Sequence, residues 1–232
     1  MKKRLKASVV LAALLALTLA CGASAAQFGK DEMRRMSVFI SNFTEVGLYD
    51  FDLDLDVSDL IRFGIRHNYI NNYKSRIKLC KDKECPHGTL TIEGKFVVES
   101  VKKYFDLDLK NQSVTDSDPR CHFDGKLYHF DGADGEAVYY AEVTSASRNG
   151  NEIDMSGELY NTEDKKDRPA TFRAVARPYK WKGKDTWSIV RLKTDFKGGR
   201  ASASSFRDRG LGAAREDCPA RGIPLFLPSD DL

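Results

Sequence analysis

Beyond residue 26 the chain holds four cysteines, Cys80, Cys85, Cys121 and Cys218, and four histidines, His67, His87, His122 and His129. Cys80 and Cys85 flank Lys81-Asp82-Lys83-Glu84, a polar tetrapeptide that reads as a loop tip. In an oxidising compartment such a pair is first a disulfide candidate, here closing a loop between two short strands. A second reading joins Cys80, Cys85, His87, Cys121 and His122 into a zinc site. Cys-x4-Cys is at the wide edge of zinc-finger spacing, and Pro86 stiffens the exit from the second cysteine. The export argued below favours the disulfide, so no metal and no cofactor is assigned. Cys121 is then left to reach Cys218 or to take one of the other two.

His67 and His129 are the only histidines in expected regular elements and are weak catalytic candidates. Beside Asp59, Asp124 or Glu142, either imidazole could serve as a general base near neutral pH. No spacing brings any two of these groups together, so a hydrogen-bonded structural role is the plainer expectation. There is no Gly-x-Ser-x-Gly elbow for a serine nucleophile, and export argues against an activated thiolate. The alternating Asp50, Asp52, Asp54 and Asp56 suggest calcium. Counted from Asp52, however, an EF-hand would need glycine where Val57 stands and glutamate where Phe63 stands. A linker that buries Phe51, Leu53 and Leu55 explains the alternation better, and Asp131-Gly132-Ala133-Asp134-Gly135-Glu136 reads as a tight turn.

The compartment is read from the start of the chain. Lys2, Lys3, Arg4 and Lys6 precede an uncharged run from Ala7 to Ala20 and then Ala23-Ser24-Ala25. Basic end, short apolar run and small-residue cleavage site make a secretory signal peptide over 1–26. The run is short of the roughly 20 residues that span a bilayer. Cleavage before Ala26, with Ser24-x-Ala26 as neighbouring option, gives a freely exported, periplasmic or secreted protein. Leu17-Thr18-Leu19-Ala20-Cys21 resembles a bacterial lipoprotein box, with Thr18 where that pattern prefers a branched aliphatic residue. The resemblance implies lipidation at Cys21 and an envelope anchor, the one route by which a membrane would be a partner.

The signal also carries the chain's basicity. The whole sequence is +3; removing four basic residues leaves 33 against 34 acidic, or −1. No dense Lys/Arg run follows Lys6, so a nucleic-acid partner is excluded.

The elements that must position these residues follow from periodicity. Met33, Met36, Ile40 and Phe43 predict a helix over 30–46, stopped at Gly47. A second begins at Ser58 as N-cap, with Ile61, Ile65 and Tyr69 as one stripe and Leu60, Phe63 and Ile70 beside it. Short strands at 76–79 and 89–92 bracket the cysteine loop, and a third helix spans 95–105. From residue 123 the period is two. Strands are expected at 123–130, 136–147, 152–160, 171–177 and 186–193, with Asn149-Gly150 and Lys182-Gly183 among the turns. Tyr179-Lys180-Trp181 falls in an expected loop, where an exposed aromatic would suit a carbohydrate or envelope-protein partner. Residues 197–232 lack periodicity and apolar density and are expected to be a mostly disordered tail after a single domain over 27–196.

This order of helices and strands over residues 28–196 resembles the nuclear-transport-factor-2-like (cystatin-like) fold. The resemblance implies an α+β domain with three N-terminal helices packed on a curved antiparallel meander sheet that forms a cone; another α+β two-layer sandwich is the alternative. The fold implies a pocket without implying a reaction. The functional expectation is an exported cell-envelope protein acting as a non-catalytic binding or interaction module. The alternative is a cone-pocket isomerase or hydrolase acting on a small apolar substrate.

Overall fold

The computed structural model describes residues 28–198 apart from 53, 116–119 and 133–137. The expected signal peptide, Cys21, Leu53, the Asp134-Gly135 turn, Cys218 and nearly all of the expected tail lie outside those residues. The fold is α+β, with two antiparallel four-stranded sheets. Among the described residues the helices are α1 (Lys30–Thr44), α2 (Val57–Asn71), the single turn α3 (Tyr73–Arg76) and α4 (Gly94–Phe105).

The larger sheet is a meander of β5 (Tyr139–Asn149), β6 (Glu152–Asn161), β7 (Ala170–Trp181) and β8 (Lys184–Phe196). Two of its hairpins turn through positive φ: Gly150 has φ 60°, and Lys182 and Gly183 have φ 48° and 82°. Apolar residues alternate inward along it, as with Ile153, Met155 and Leu159 on β6. Helix α1 buries Met36, Phe39, Ile40 and Phe43 in the same core. Its Ser37, Ser41 and Thr44 meet the open edge of β5. The N–H groups of Ala141 and Val143 donate to Ser41 Oγ and Ser37 Oγ, each at 2.9 Å. Thr44 Oγ1 donates to the Tyr139 carbonyl at 2.7 Å. Each serine hydroxyl then donates to a carbonyl one turn back in α1, at 2.8 and 2.9 Å. The edge's polar groups are thus satisfied by a helix in place of a further strand.

The smaller sheet departs from the single-meander expectation. It contains β1 (Ile77–Leu79), β2 (Leu90–Glu93), β3 (His122–Phe123) and β4 (Leu127–Phe130), in the order β1-β2-β4-β3. The strand expected at 123–130 is broken at Asp124-Gly125. Asp124 Oδ1 accepts the N–H groups of Lys126 and Leu127 at 2.8 and 2.7 Å, and Gly125 takes φ 98°. An Asx turn therefore folds this segment into its own hairpin beside β2. Strand β7 continues through Tyr179-Lys180-Trp181, paired with β8, where a loop was expected. Helix α2 starts at Val57 with Asp56 as N-cap, two residues before the expected Ser58.

Helices α2 and α4 serve two cores. Leu60, Phe63, Val101, Tyr104 and Phe105 join the core of the larger sheet. Ile61, Ile65 and Val97 join Ile77, Leu90, Ile92, Tyr128 and Phe130 under the smaller one. The two stripes legible on α2 are its two buried faces. Gly64 lets the helices approach: a Cβ there would lie 2.7 Å from Val97 Cγ1. Among the described residues no helix is long and apolar enough to cross a membrane.

Candidate functional site

The pairing of the smaller sheet sets one row of side chains on its outer face: Lys78 opposite Thr91, Thr91 opposite His129, and His129 opposite His122. The alternate row, Ile77, Ile92 and Tyr128, is core. The β1–β2 loop folds over this outer row. It leaves β1 with the Cys80 N–H donating to the Thr89 carbonyl at 2.8 Å, and turns on Asp82, whose Oδ1 accepts the Glu84 N–H at 3.0 Å. Gly88 closes it with φ 127°, where a Cβ would lie 2.3 Å from the Phe130 carbonyl carbon. Only glycine returns the loop to the sheet at that distance.

The loop brings both thiols to one imidazole. Cys80 Sγ and Cys85 Sγ lie 3.6 and 3.5 Å from His129 Nδ1. The opposite ring nitrogen, Nε2, faces Asp124 Oδ2 at 3.1 Å. The same Asp124 whose Oδ1 makes the hairpin turn thus orients the histidine. Backbone N–H donation from Leu127, then the His129 bond and the Lys126 N–H, hold the Asp124 carboxyl down at about 2, so it is ionised. With Nε2–H given to Asp124, the Nδ1 lone pair points at the sulfurs. Partial burial and the neighbouring Cys85 raise the Cys80 thiol. His87 stacks on His122 with ring centroids 4.0 Å apart, and the His122 ring lies 6.1 Å from that of His129.

The expected Cys80–Cys85 bridge is not formed in this structure. Cys80, Cys85 and Cys121 are free thiols. Cys80, Cys85 and His129 present ligand atoms that all lie within 4.8 Å of one another, and among the described residues they are the only such set of three His, Cys, Asp or Glu donors. Cys121 is not one of them. It is 5% exposed, packs in the smaller core, and burial pushes its thiol up to about 11. Successive strand residues face opposite sides, so Cys121 points inward where its neighbour His122 points out.

His67 has a different setting. It is 5% exposed, stacks on Phe63 at 5.6 Å and meets Tyr104 edge-on at 4.8 Å. Its Nδ1 faces the Asn71 amide at 3.2 Å and Glu45 Oε1 at 3.7 Å. Burial lowers its pKa more than Glu45 raises it. Of the carboxylates considered as partners for a catalytic histidine, only Asp124 meets one. Asp59 pairs with Arg62 at 3.5 Å, and Glu142 pairs with Arg168. The acidic linker is likewise accounted for, with Asp50 and Asp52 facing Lys193 and Arg191 of β8 at 2.7 and 3.9 Å. Three surface clefts of about 420, 510 and 610 Å3 are lined by no histidine or cysteine.

Glu45, the partner of His67, and the meeting of His129 with the two thiols are what sequence reasoning missed. The Asp124-Gly125 dipeptide was the available signal for the second, because a turn there puts His122 and His129 side by side. The chain matches no protein-family model, no curated protein and no solved structure.

Proposed function

We propose that this chain is an exported, non-catalytic binding module of the cell envelope, and that its binding end is the outer corner of the smaller sheet. The observation that carries the reading is the division between the two ends. The larger core is filled by Phe39, Phe43, Phe63, Tyr104 and Phe105, and its one histidine is sealed inside with a lowered pKa. Cys80 and Cys85 sit with the other three histidines on an outer face. An isomerase or hydrolase would need the reverse, an open cavity with an acid and a base converging on it.

In finer detail, we read β5–β8 with α1 as a cone of the nuclear-transport-factor-2-like kind, and the smaller sheet as an addition to it. Export rests on the signal peptide read over residues 1–26, with delivery to the periplasm or medium and with lipidation at Cys21 as the anchored alternative.

Fractionation with intact-mass measurement tests delivery. The exported material should begin at Ala26 or Gln27; an uncleaved chain retained in the cytoplasm refutes the reading, and a diacylglycerol on Cys21 moves it to a membrane surface. Thermal-shift measurement with small apolar ketones and esters tests the enzyme alternative. No stabilisation is expected. Stabilisation that disappears in His67→Asn would favour a cone-pocket enzyme.

A further inference from the structure

We propose that Cys80, Cys85 and His129 form a three-ligand site for a thiophilic divalent cation, Zn2+ foremost. This deepens the proposed binding role at the same corner, and it stands or falls in vitro wherever the chain is delivered.

As neutral groups the three side chains are short of acceptors. Two thiols face one Nδ1 lone pair, at 3.6 and 3.5 Å. A single lone pair satisfies one S–H donor well, and the second is left with a poor share of it. One cation in place of the two thiol protons gives all three donors a partner at once. The donor set is chemically matched, because two thiolates and one imidazole are ligands that zinc and similar soft or borderline cations select.

The second observation is independent of the cysteines. Metal-bound histidines donate their other ring N–H to a carboxylate or carbonyl, which fixes the ring and its tautomer. Asp124 stands in that position at 3.1 Å from Nε2, and its other oxygen is anchored by two backbone N–H groups of the turn. A disulfide between Cys80 and Cys85 would use neither this carboxylate nor the imidazole it aims. The third observation is mechanical. The loop carrying the thiols is bound to the sheet at both ends, by Cys80 N–H to Thr89 and by Thr89 to Asp131 Oδ1 at 2.9 Å. The ligands are therefore held near one another before any ion arrives.

Among the described residues no fourth His, Cys, Asp or Glu donor atom joins the set. The stacked His87 and His122 lie alongside without converging on it. Binding is written as two thiols plus M2+ giving a dithiolate complex and two protons, with His129 binding through its neutral Nδ1. No electron changes hands.

The experiment titrates the reduced, purified protein with Zn2+ and with Co2+ as a coloured substitute. The expected result is one ion per chain, release of up to two protons, and a thiolate-to-cobalt charge-transfer band. Cys80→Ser and Cys85→Ser should each lose at least half of the band and His129→Asn should bind the ion more weakly, with circular dichroism checking that each variant is folded. Asp124→Asn should weaken binding by about 10–100-fold. His87→Asn and His122→Asn should leave the affinity within a few-fold of wild type. The proposal is overturned if the reduced wild-type protein gives no cobalt–thiolate band, or if His129→Asn binds as tightly as wild type. A loss in His122→Asn or His87→Asn equal to that in His129→Asn refutes the three-ligand assignment. Because the wild-type titration needs no variant to fold, a misfolded substitution leaves the test intact.

Discussion

His67 shows how burial decides the chemistry of a single residue. Its ordinary pKa of 6.5 is lowered, with desolvation outweighing the attraction of Glu45. The native state therefore binds fewer protons than the unfolded chain in the interval between the lowered value and 6.5. Stability is full above that interval and falls as the pH drops through it, since the unfolded chain gains a proton that folded His67 resists. One such group contributes a slope of at most about 1.4 kcal/mol per pH unit. Urea unfolding at several pH values between 7 and 5 should show wild type losing stability more steeply than His67→Gln. The variant should start lower, because it loses the stacking on Phe63, and then run flatter. Parallel curves would show that His67 is not the group being titrated.

Between elements, α1 closes the open edge of β5. Ser37 and Ser41 are spaced by one helical turn, and Ala141 and Val143 by one strand repeat, so the two rows of donors and acceptors fall into step. Replacing Ser41 by alanine leaves the Ala141 N–H facing a methyl group, and an unsatisfied buried donor costs about 1–3 kcal/mol. Ser37→Ala should cost a similar amount at Val143. Denaturant midpoints should fall while the slope with denaturant holds, and an unchanged midpoint for both variants would mean that water replaces the hydroxyls. None of this was legible in the sequence. Periodicity located α1, α2, α4 and the four strands of the larger sheet, because each is long enough to show its repeat. It also placed the short strands β1 and β2, and it failed at 123–130, where a turn and non-local pairing decide the outcome. A two-residue strand such as His122–Phe123 has no period to read, and what defines it is the Asp124 turn and its register against β4. The candidate site was half visible for the same reason. The Cys80–Cys85 loop announces itself locally, whereas His129 joins it only because β4 pairs with β2.

Across the whole molecule, the two sheets do not pack as separate bodies, since α2 and α4 give one set of side chains to each core. Neighbouring residues on α2 make the division plain: Phe63 is fully buried in the larger core and Ile61 fully buried in the smaller. A helix held on both sides couples the sheets, because loosening either core frees the same backbone that orders the other. Phe63→Ala should cost about 3–5 kcal/mol and Ile61→Ala about 2–5 kcal/mol, as cavity-forming truncations do. The informative readout is the shape of the transition. Both variants should unfold in one step, at a lower temperature, with far-ultraviolet circular dichroism and aromatic fluorescence falling together. Should Ile61→Ala instead melt the smaller sheet in a separate earlier step, with the larger core still folded, the shared helices would not be the coupling element. The same coupling carries a consequence for the cysteine corner. A cation held by Cys80, Cys85 and His129 favours the folded smaller sheet, the only state in which pairing brings His129 to the two thiols, so it should raise the temperature of the single transition for the entire domain, Phe63 and its neighbours included.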